Sequence, residues 1–260
     1  MNEEPKVDYS DVQEDFEFFL DHTNETEAQI AAMKPHLSCL LERRSLARML
    51  DFGCGNGDFA SRLLRALDPQ PTDLDVFLLE PVADLLQQAA TGLSQISERI
   101  EESVPDLQSL EGKGFDLILA NHSLYYVSKT GTEVCELVRR LAPAGIMIAA
   151  LQHRENALAQ IWLKTCQLTG EEFPFLFADN IEVVLGSHDI PYDREMISYK
   201  IEFPDSADAR YRILHFLFGP YLSRIPKQQA LALFDPYRHS DKIRIETEYP
   251  HLIMRGTRAS

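Results

Sequence analysis

A glycine-rich segment at residues 53–57 constrains the fold of this chain more than any other stretch. It reads Gly53-Cys54-Gly55-Asn56-Gly57 and follows an apolar run, residues 46–52, that predicts a buried strand. Residues 58–67 then show the pattern of a helix. Glycines between a strand and a helix let the backbone approach a ligand closely, and the helix points its free N–H groups at that ligand. We therefore expect the chain to be organised around a ligand-binding turn.

Strand and helix patterns alternate from this turn to residue 151. Strands are predicted at 46–52, 76–80, 99–102, 115–120 and 144–151, and helices at 58–67, 82–93 and 132–141. Continuous apolar strands separated by helices are typical of a parallel sheet that is covered on both faces. The pattern therefore predicts a doubly wound, Rossmann-like α/β fold.

Further helices are predicted on both sides of this α/β region. An N-terminal pair covers 11–21 and 24–43, and Pro35 is expected to kink or divide the second helix. After residue 152, helices are predicted at 157–168, 180–185, 211–218 and 228–234, and strands at 198–203, 242–248 and 252–255, with an interruption at Pro250. The late strands are expected to complete the sheet by an antiparallel return. This predicts a helical cap over 1–45, an α/β core over 46–152, and cap helices plus the last two strands over 153–260.

Composition limits the classes of partner. The 260 residues include 41 Asp plus Glu against 25 Lys plus Arg, a net charge of −16, so nucleic acid or an anionic membrane is not an expected partner. The N-terminus lacks the blocks of a signal peptide, and no apolar run approaches membrane-spanning length. The four cysteines show no paired metal-type spacing. We expect a cytoplasmic protein, without a metal, that acts on a small molecule as a monomer or homodimer.

Two classes of cofactor compete for this glycine turn. A dinucleotide motif, G-x-G-x-x-G, would need its last glycine where Asp58 stands, and the carboxylates of Asp51 and Asp58 would repel a pyrophosphate. S-adenosyl-L-methionine carries no phosphate, and its amino group favours nearby carboxylates. Glu80 closes the second strand about twenty residues past the turn, where an acidic side chain can accept both ribose hydroxyls. These residues favour S-adenosyl-L-methionine.

The glycine turn, Leu79-Glu80-Pro81 and Phe115-Asp116-Leu117-Ile118 together resemble the class I S-adenosylmethionine-dependent methyltransferases, over roughly residues 46–151. The resemblance implies a seven-stranded, mostly parallel sheet whose last strand is antiparallel. It also implies that Gly53 and Gly55 lie under the methionine part of the cofactor and that Glu80 binds the ribose. Further contacts are expected from Asp51, Pro81, Ser103, Val104 and Asn121. The adenine segment, Glu102-Ser103-Val104, lacks the aspartate that many members carry.

Candidate acceptor-binding residues follow the fourth predicted strand. The segment Asn121-His122-Ser123-Leu124-Tyr125-Tyr126-Val127 places a histidine beside two tyrosines at the carboxyl edge of the sheet. Aromatic faces favour a sulfonium or a cationic amine, and a base is needed only if the acceptor must lose a proton. We predict that His122 and Tyr126 are catalytic and contact the acceptor. The alternative is that the tyrosines begin a buried turn and that His122 bonds only to backbone.

A narrower resemblance, to the histamine N-methyltransferases, rests on the N-terminal helices. It is carried by Phe16, Phe19-Leu20-Asp21-His22 and Glu25, taken with Leu124-Tyr125-Tyr126-Val127 and Leu79-Glu80-Pro81. In that family the glutamate that matches Glu25 binds the cationic amine, a glutamine stands at His122, and a substrate-binding asparagine falls at about Thr247. The resemblance implies acceptor contacts from Phe19, Glu25 and Thr247. The helix dipole alone would also favour an acidic residue at position 25.

These features predict an S-adenosylmethionine-dependent methyltransferase that acts on a small molecule. The expected acceptor is a nitrogen of an amine or an imidazole-like group. One alternative is methyl transfer to an oxygen of a natural product or a carboxylate, with His122 as the base. The other is a non-catalytic protein of the same fold that works through a partner.

Overall fold

A computed structural model describes residues 12–42, 46–67, 74–127, 132–170 and 172–257. The chain divides into two compact units, each made of three stretches. What we call the sheet unit consists of Gln29–Arg154, Phe175–Ile197 and Tyr249–Ser260. What we call the helical unit consists of Met1–Ala28, Glu155–Pro174 and Ser198–Glu248.

The described residues form eight strands. They are β1 Ala47–Phe52, β2 Leu74–Leu79, β3 Arg99–Val104, β4 Phe115–Asn121, β5 Leu141–Ala150, β6 Tyr192–Pro204, β7 Arg238–His239 and β8 Lys242–Arg255. The order in the sheet is β3-β2-β1-β4-β5-β8-β6, and β7 pairs with β8. Strands β1 to β5 pair in parallel, whereas β8 is antiparallel to β5. The predicted doubly wound, mostly parallel sheet with an antiparallel return is therefore confirmed.

This strand order also locates the place where a ligand is expected. From β1 the chain continues outward through β2 and β3, and then returns to the other side of β1 to add β4 and β5. The order of strands thus reverses between β1 and β4. Open α/β sheets bind ligands beyond the carboxyl ends of the strands at such a switch point.

The described residues also form nine α-helices. They are α1 Gln13–Asp21, α2 Glu25–Glu42, α3 Asp58–Leu67, α4 Ala83–Leu93, α5 Thr132–Arg139, α6 Ala157–Thr169, α7 Ala178–Ser187, α8 Ala207–Phe218 and α9 Lys227–Ala232. Within the same ranges, none is both long enough and apolar enough to cross a membrane.

The sheet unit buries an apolar core on each face of its sheet. Successive residues of a strand point to opposite faces, so Leu117 and Leu119 of β4 join one core while Ile118 and Ala120 join the other. Helices α2, α3 and α4 cover the first face through Met33, Leu37, Leu63, Leu64, Ala89 and Leu93. Helices α5 and α7 cover the second through Val134, Leu137, Ala178, Ile181 and Leu185. Coverage on both faces is why the strands are continuously apolar in sequence.

Two prolines interrupt the chain less than expected. Helix α2 is continuous with Pro35 inside it, so a division of this helix at Pro35 is wrong, while the alternative of a kink stays a prediction. Met33 and Leu37 are buried on either side of the proline. Their packing stabilises the helix although the proline removes one backbone hydrogen bond. Strand β8 also runs unbroken through Pro250. Its register with β5 begins at His251, so Pro250 lies just before the first residue paired on that side.

Strand β6 is much longer than its apolar pattern predicts. The alternation predicted residues 198–203, whereas the strand begins at Tyr192. Its first part carries charged residues that hide the period of the strand. Arg194 pairs with Glu182 at 3.0 Å, and Glu195 pairs with His36 at 3.0 Å. Polar contacts with neighbouring helices therefore accommodate a segment for which no strand was predicted.

The helical unit contains α1 packed on α8. The rings of Phe19 and Phe216 lie 4.8 Å apart, and Phe19 is buried. Asp15 accepts a hydrogen bond from Nε of Arg212 at 2.8 Å, and its other oxygen lies 2.8 Å from Nδ1 of His215. An apolar contact and an ion-pair cluster thus fix α1 on α8.

Candidate functional site

The glycine turn between β1 and α3 is shaped by three residues with left-handed backbone. Gly53, Gly55 and Gly57 have φ values of 69°, 54° and 79°. A Cβ at Gly53 would lie 2.3 Å from Cβ of Ser123, and one at Gly57 would lie 2.8 Å from Cα of Ala89. Nothing lies within 4 Å of the corresponding position at Gly55. Two glycines therefore permit close packing within the protein, and Gly55 leaves open space over the turn.

The carboxylate of Glu80 is fixed beside this open space. Its Oε2 accepts the N–H of Gly55 at 3.1 Å, and its Oε1 accepts the N–H of Val82 at 3.0 Å. The backbone N–H of Glu80 donates to the carbonyl of Val104 at 3.0 Å, which joins the ends of β2 and β3. A carboxylate oxygen has room for a second donor. Glu80 can therefore accept two hydroxyl groups of a ligand while it holds the turn.

A second buried carboxylate gives the site an excess of negative charge. Asp51 is the next-to-last residue of β1 and is 4% exposed. Burial, and then the neighbouring carboxylate of Glu80, raise the pKa of Asp51 to about 7. Burial, followed by Asp51 and Glu80, also raises the pKa of the Cys54 thiol. A ligand with a positive charge would relieve this repulsion.

Two polar side chains at the end of β4 have unsatisfied atoms. Oδ1 of Asn121 and Oγ of Ser123 are buried and have no hydrogen-bond partner among the described residues. Ser123 is the residue that lies against Gly53. Buried polar atoms are nearly always paired in folded proteins, so these two atoms are available to bind a water molecule or a polar group of a ligand at the switch point.

His122 lies between these two residues and is held at both ring nitrogens. Its backbone is left-handed, with φ of 53°, and its N–H donates to the carbonyl of Ala150 at 2.8 Å. Nδ1 lies 3.0 Å from the hydroxyl of Tyr125, and Nε2 lies 2.9 Å from Nε2 of Gln29. The ring also meets the ring of Tyr249 edge-on at 5.0 Å. These contacts place the imidazole in a network of neutral side chains.

The part of the chain that contains this site matches a known protein family. Residues 50–147 match the family model of a methyltransferase domain. This range contains the glycine turn, Glu80 and His122. The protein is an S-adenosylmethionine-dependent methyltransferase of class I fold. Its cofactor is S-adenosyl-L-methionine.

Relatives of the methyltransferase extend the likeness beyond this domain. Trans-aconitate 2-methyltransferase of Deinococcus radiodurans is 24% identical over 233 residues, which cover 82% of this chain and 84% of the relative. The N-methyltransferase NodS of Bradyrhizobium japonicum WM9, solved with S-adenosyl-L-homocysteine, superposes with a TM-score of 0.53 at 14% identity over 97% of this chain and 100% of NodS. The [4+2]-cyclase SpnF superposes with a TM-score of 0.52 at 22% identity over 86% and 82% of the two chains. Likeness at this level shows the fold alone, and the narrower resemblance to histamine N-methyltransferases finds no support in these comparisons.

The remaining cofactor residues predicted for the methyltransferase lie in the same unit. Pro81 is exposed directly after Glu80. Ser103 is exposed and Val104 is half-buried at the end of β3, the neighbour of β2. Asp51, Gly53, Gly55 and Asn121 belong to this unit too. The structure thus places all eight predicted cofactor residues at the ends of β1 to β4 or directly after them.

The predicted acceptor residues are distributed over both units. His122 and Tyr126 belong to the sheet unit, and Tyr126 ends a short 3-10 turn, Leu124–Tyr126, although its side chain is outside the described part. Phe19, Glu25 and Thr247 belong to the helical unit. Glu25 begins α2, and its N–H is capped by Oγ1 of Thr23 at 3.2 Å. Acceptor roles for all five residues stay predictions.

Phe19 and Thr247 also make contacts that stabilise the helical unit itself. The ring of Phe19 is buried against α8. Oγ1 of Thr247 accepts the N–H of Ala157 at 2.9 Å, at the first residue of α6. Thr247 also lines a groove of about 490 Å³ in this unit, with Asn24, Ser198, Tyr199, Lys200, Glu246 and Glu248. Both contacts would exist without any acceptor.

Gln29 and Tyr249 contact His122, and neither residue was predicted from the sequence. A signal for Gln29 was present, because positions 29, 33 and 37 of α2 share one face of the helix, and Met33 and Leu37 are apolar. A glutamine in such a buried stripe needs a partner. Gln29 is 2% exposed, and its amide also donates to the hydroxyl of Tyr249.

Cofactor binding by this methyltransferase should depend on pH. A cationic amino group favours the ionised form of Asp51, so affinity should rise as the pH increases through about 7 and then level off. One pH unit below the pKa of the free protein, we expect about tenfold weaker binding. Calorimetric titration with S-adenosylhomocysteine across this range measures it. Asp51→Asn is the control, because it retains titration of the ligand's own amino group but removes that of the carboxyl. Affinity that follows the same curve in both proteins would contradict the role of Asp51.

Proposed function

We propose that this methyltransferase moves a methyl group to a nitrogen of a small-molecule amine or imidazole-like acceptor. The observation that carries the proposal is the charge and chemistry around the switch point. The two buried acidic side chains there are Asp51 and Glu80, and the side chains around the ring of His122, Gln29, Tyr125 and Tyr249, are neutral. Such surroundings favour a neutral or cationic acceptor over an anionic one.

The binding part of the mechanism follows from residues already described. Glu80 would accept the two ribose hydroxyls, and Asp51 would face the amino group. The open side of Gly55 would admit the methionine part, and Asn121 and Ser123 would gain partners for their unsatisfied oxygens. When bound, S-adenosyl-L-methionine supplies a methyl group activated by a sulfonium.

The chain's further contribution is alignment and exclusion of water. Methyl transfer is an in-line displacement, and correct positioning of the two reactants can supply most of the acceleration. A neutral nitrogen needs no base to attack. His122 and Tyr126 are proposed to orient the acceptor at the end of β4. Acceptor contacts by Phe19, Glu25 and Thr247 also stay proposals.

A second candidate is methyl transfer to a carboxylate oxygen. The observation that favours it is the relative from Deinococcus radiodurans, which is a trans-aconitate 2-methyltransferase and aligns with 82% of this chain. A carboxylate is already ionised at neutral pH and also needs no base. This candidate requires a cationic or strongly donating contact to outweigh the repulsion by Asp51 and Glu80.

A matched panel of acceptors separates the two candidates. We expect release of S-adenosylhomocysteine with at least one primary amine or imidazole, and none with a tricarboxylate or a phenol. Glu80→Gln, which weakens cofactor binding, should lower turnover with every acceptor and thus exclude a contaminating enzyme. Turnover with carboxylates alone would show that the nitrogen proposal is wrong and that the second candidate is right.

A further inference from the structure

A buried glutamine contacts one ring nitrogen of His122. Gln29 lies on α2, 93 residues from His122 and 220 residues from Tyr249 in sequence, yet its amide nitrogen contacts both. The amide nitrogen is a donor only, so it requires an acceptor at Nε2 of the imidazole. A neutral imidazole that accepts at Nε2 must carry its proton on Nδ1.

The other side of the ring agrees with this assignment. Nδ1 of His122 lies 3.0 Å from the hydroxyl oxygen of Tyr125. That oxygen already accepts the backbone N–H of Gln152 at 2.8 Å. It has a second lone pair for a proton donated by Nδ1, and its own hydroxyl proton can point elsewhere. With this tautomer, Nδ1 of His122 donates to the hydroxyl oxygen of Tyr125, and Nε2 accepts from the amide of Gln29.

We propose that Gln29 is a positioning residue that donates to Nε2 of His122 and thereby holds the imidazole as the neutral, Nδ1-protonated tautomer. Both ring nitrogens are then committed to the protein. Protonation of Nε2 would require the side-chain amide of Gln29 to rotate by about 180°, so that its oxygen and not its nitrogen faces Nε2. A consequence, which rests on the proposed function, is that His122 orients the acceptor and does not take a proton from it.

The titratable groups near this network come from β8 and α2. Tyr249 of β8 contacts the ring of His122, and His251 of β8 interacts electrostatically with both His122 and His36. His36 belongs to α2 and is paired with Glu195 of β6. His251 is 1% exposed, and burial, followed by His122 and His36, lowers its pKa to about 3. His251 is therefore neutral near pH 7 and adds no positive charge to the surroundings of His122.

Nitrogen-15 NMR of the full chain with labelled histidine tests the tautomer directly. His122→Asn identifies the signal by its disappearance. We expect a protonated Nδ1 and an unprotonated Nε2 in the wild type. In Gln29→Glu the carboxylate can only accept, so Nε2 should become protonated and the imidazole pKa should rise by about one pH unit or more. Gln88→Glu, which makes the same change on the exposed face of α4, should leave the signal unchanged.

Either of two results overturns the inference. One is an Nε2-protonated ring in the wild type, and the other is a Gln29→Glu spectrum with the wild-type tautomer. If Gln29→Glu does not fold, the wild-type spectrum still decides, and Gln29→Met should give a mixture of tautomers because it fills the space without a donor. The pH profile of kcat should shift in Gln29→Glu and not in Gln88→Glu. The predicted tautomer without turnover of any amine would contradict the proposed function and leave the role of Gln29 standing.

Discussion

Replacing Glu80 by glutamine should weaken the binding of S-adenosylhomocysteine by about 100-fold. The carboxylate is expected to accept two ribose hydroxyls while it accepts the N–H groups of Gly55 and Val82. A glutamine amide has one oxygen, so its NH₂ group would face one of the backbone N–H donors. The ribose thus loses one hydrogen bond to a charged acceptor, worth up to about 3 kcal/mol, which corresponds to a loss of this size. Isothermal titration calorimetry on the folded variant measures it.

The matched control is Glu98→Gln in the same unit. Glu98 is exposed, so its replacement makes the same change in net charge without touching the glycine turn. Its affinity should equal that of the wild type within about twofold. If Glu80→Gln bound S-adenosylhomocysteine as tightly as Glu98→Gln does, the ribose role of Glu80 would be wrong.

Adding one methyl group to the glycine turn should have opposite consequences at Gly57 and Gly55. At Gly57, the new Cβ would lie 2.8 Å from a backbone atom of Ala89 in a left-handed conformation. Strain and overpacking together should cost about 3 kcal/mol and lower Tm by roughly 6 to 12 °C. At Gly55 there is no atom to meet, so Gly55→Ala should lose only about 1 kcal/mol of stability to backbone strain.

The affinity for the cofactor should show the reverse order. The Cβ of Gly55→Ala would enter the open space over the turn, so we expect at least about tenfold weaker binding of S-adenosylhomocysteine, or about 1.4 kcal/mol. Folded Gly57→Ala should bind nearly as well as the wild type, because its change faces α4. Thermal melts and calorimetry on the two variants provide both readouts. Wild-type affinity in Gly55→Ala would mean that the cofactor does not approach this side of the turn.

Much of the sheet unit could be predicted because its information is local. The run into Phe52, the three glycines and the helix from Asp58 are contiguous in sequence, and each pattern matches its structure. The position of Glu80 follows from the length of one strand–helix–strand unit. Tertiary packing overrides the local signal at two prolines: the division of the helix at Pro35 and the interruption of the strand at Pro250 were wrong, because both lie inside regular elements.

The acceptor side could be predicted far less well, for the opposite reason. The partners of His122 come from α2 and β8, at sequence distances that no motif spans. His122 itself was found from its place after β4, but the commitment of both ring nitrogens depends on Gln29 and Tyr125. The nature of the acceptor is set by such distant contacts, and local patterns do not encode them.

A thermal melt with competing ligands tests the central claim most directly. A ligand at about 100 times its Kd stabilises the folded state by about 2.7 kcal/mol, which should raise Tm by roughly 5 to 10 °C for a chain of this size. We predict that S-adenosylhomocysteine produces this shift and that NAD, whose pyrophosphate would face Asp51 and Asp58, produces none. Stabilisation by NAD and not by S-adenosylhomocysteine would contradict the assignment of the glycine turn and Glu80 to the methyl donor.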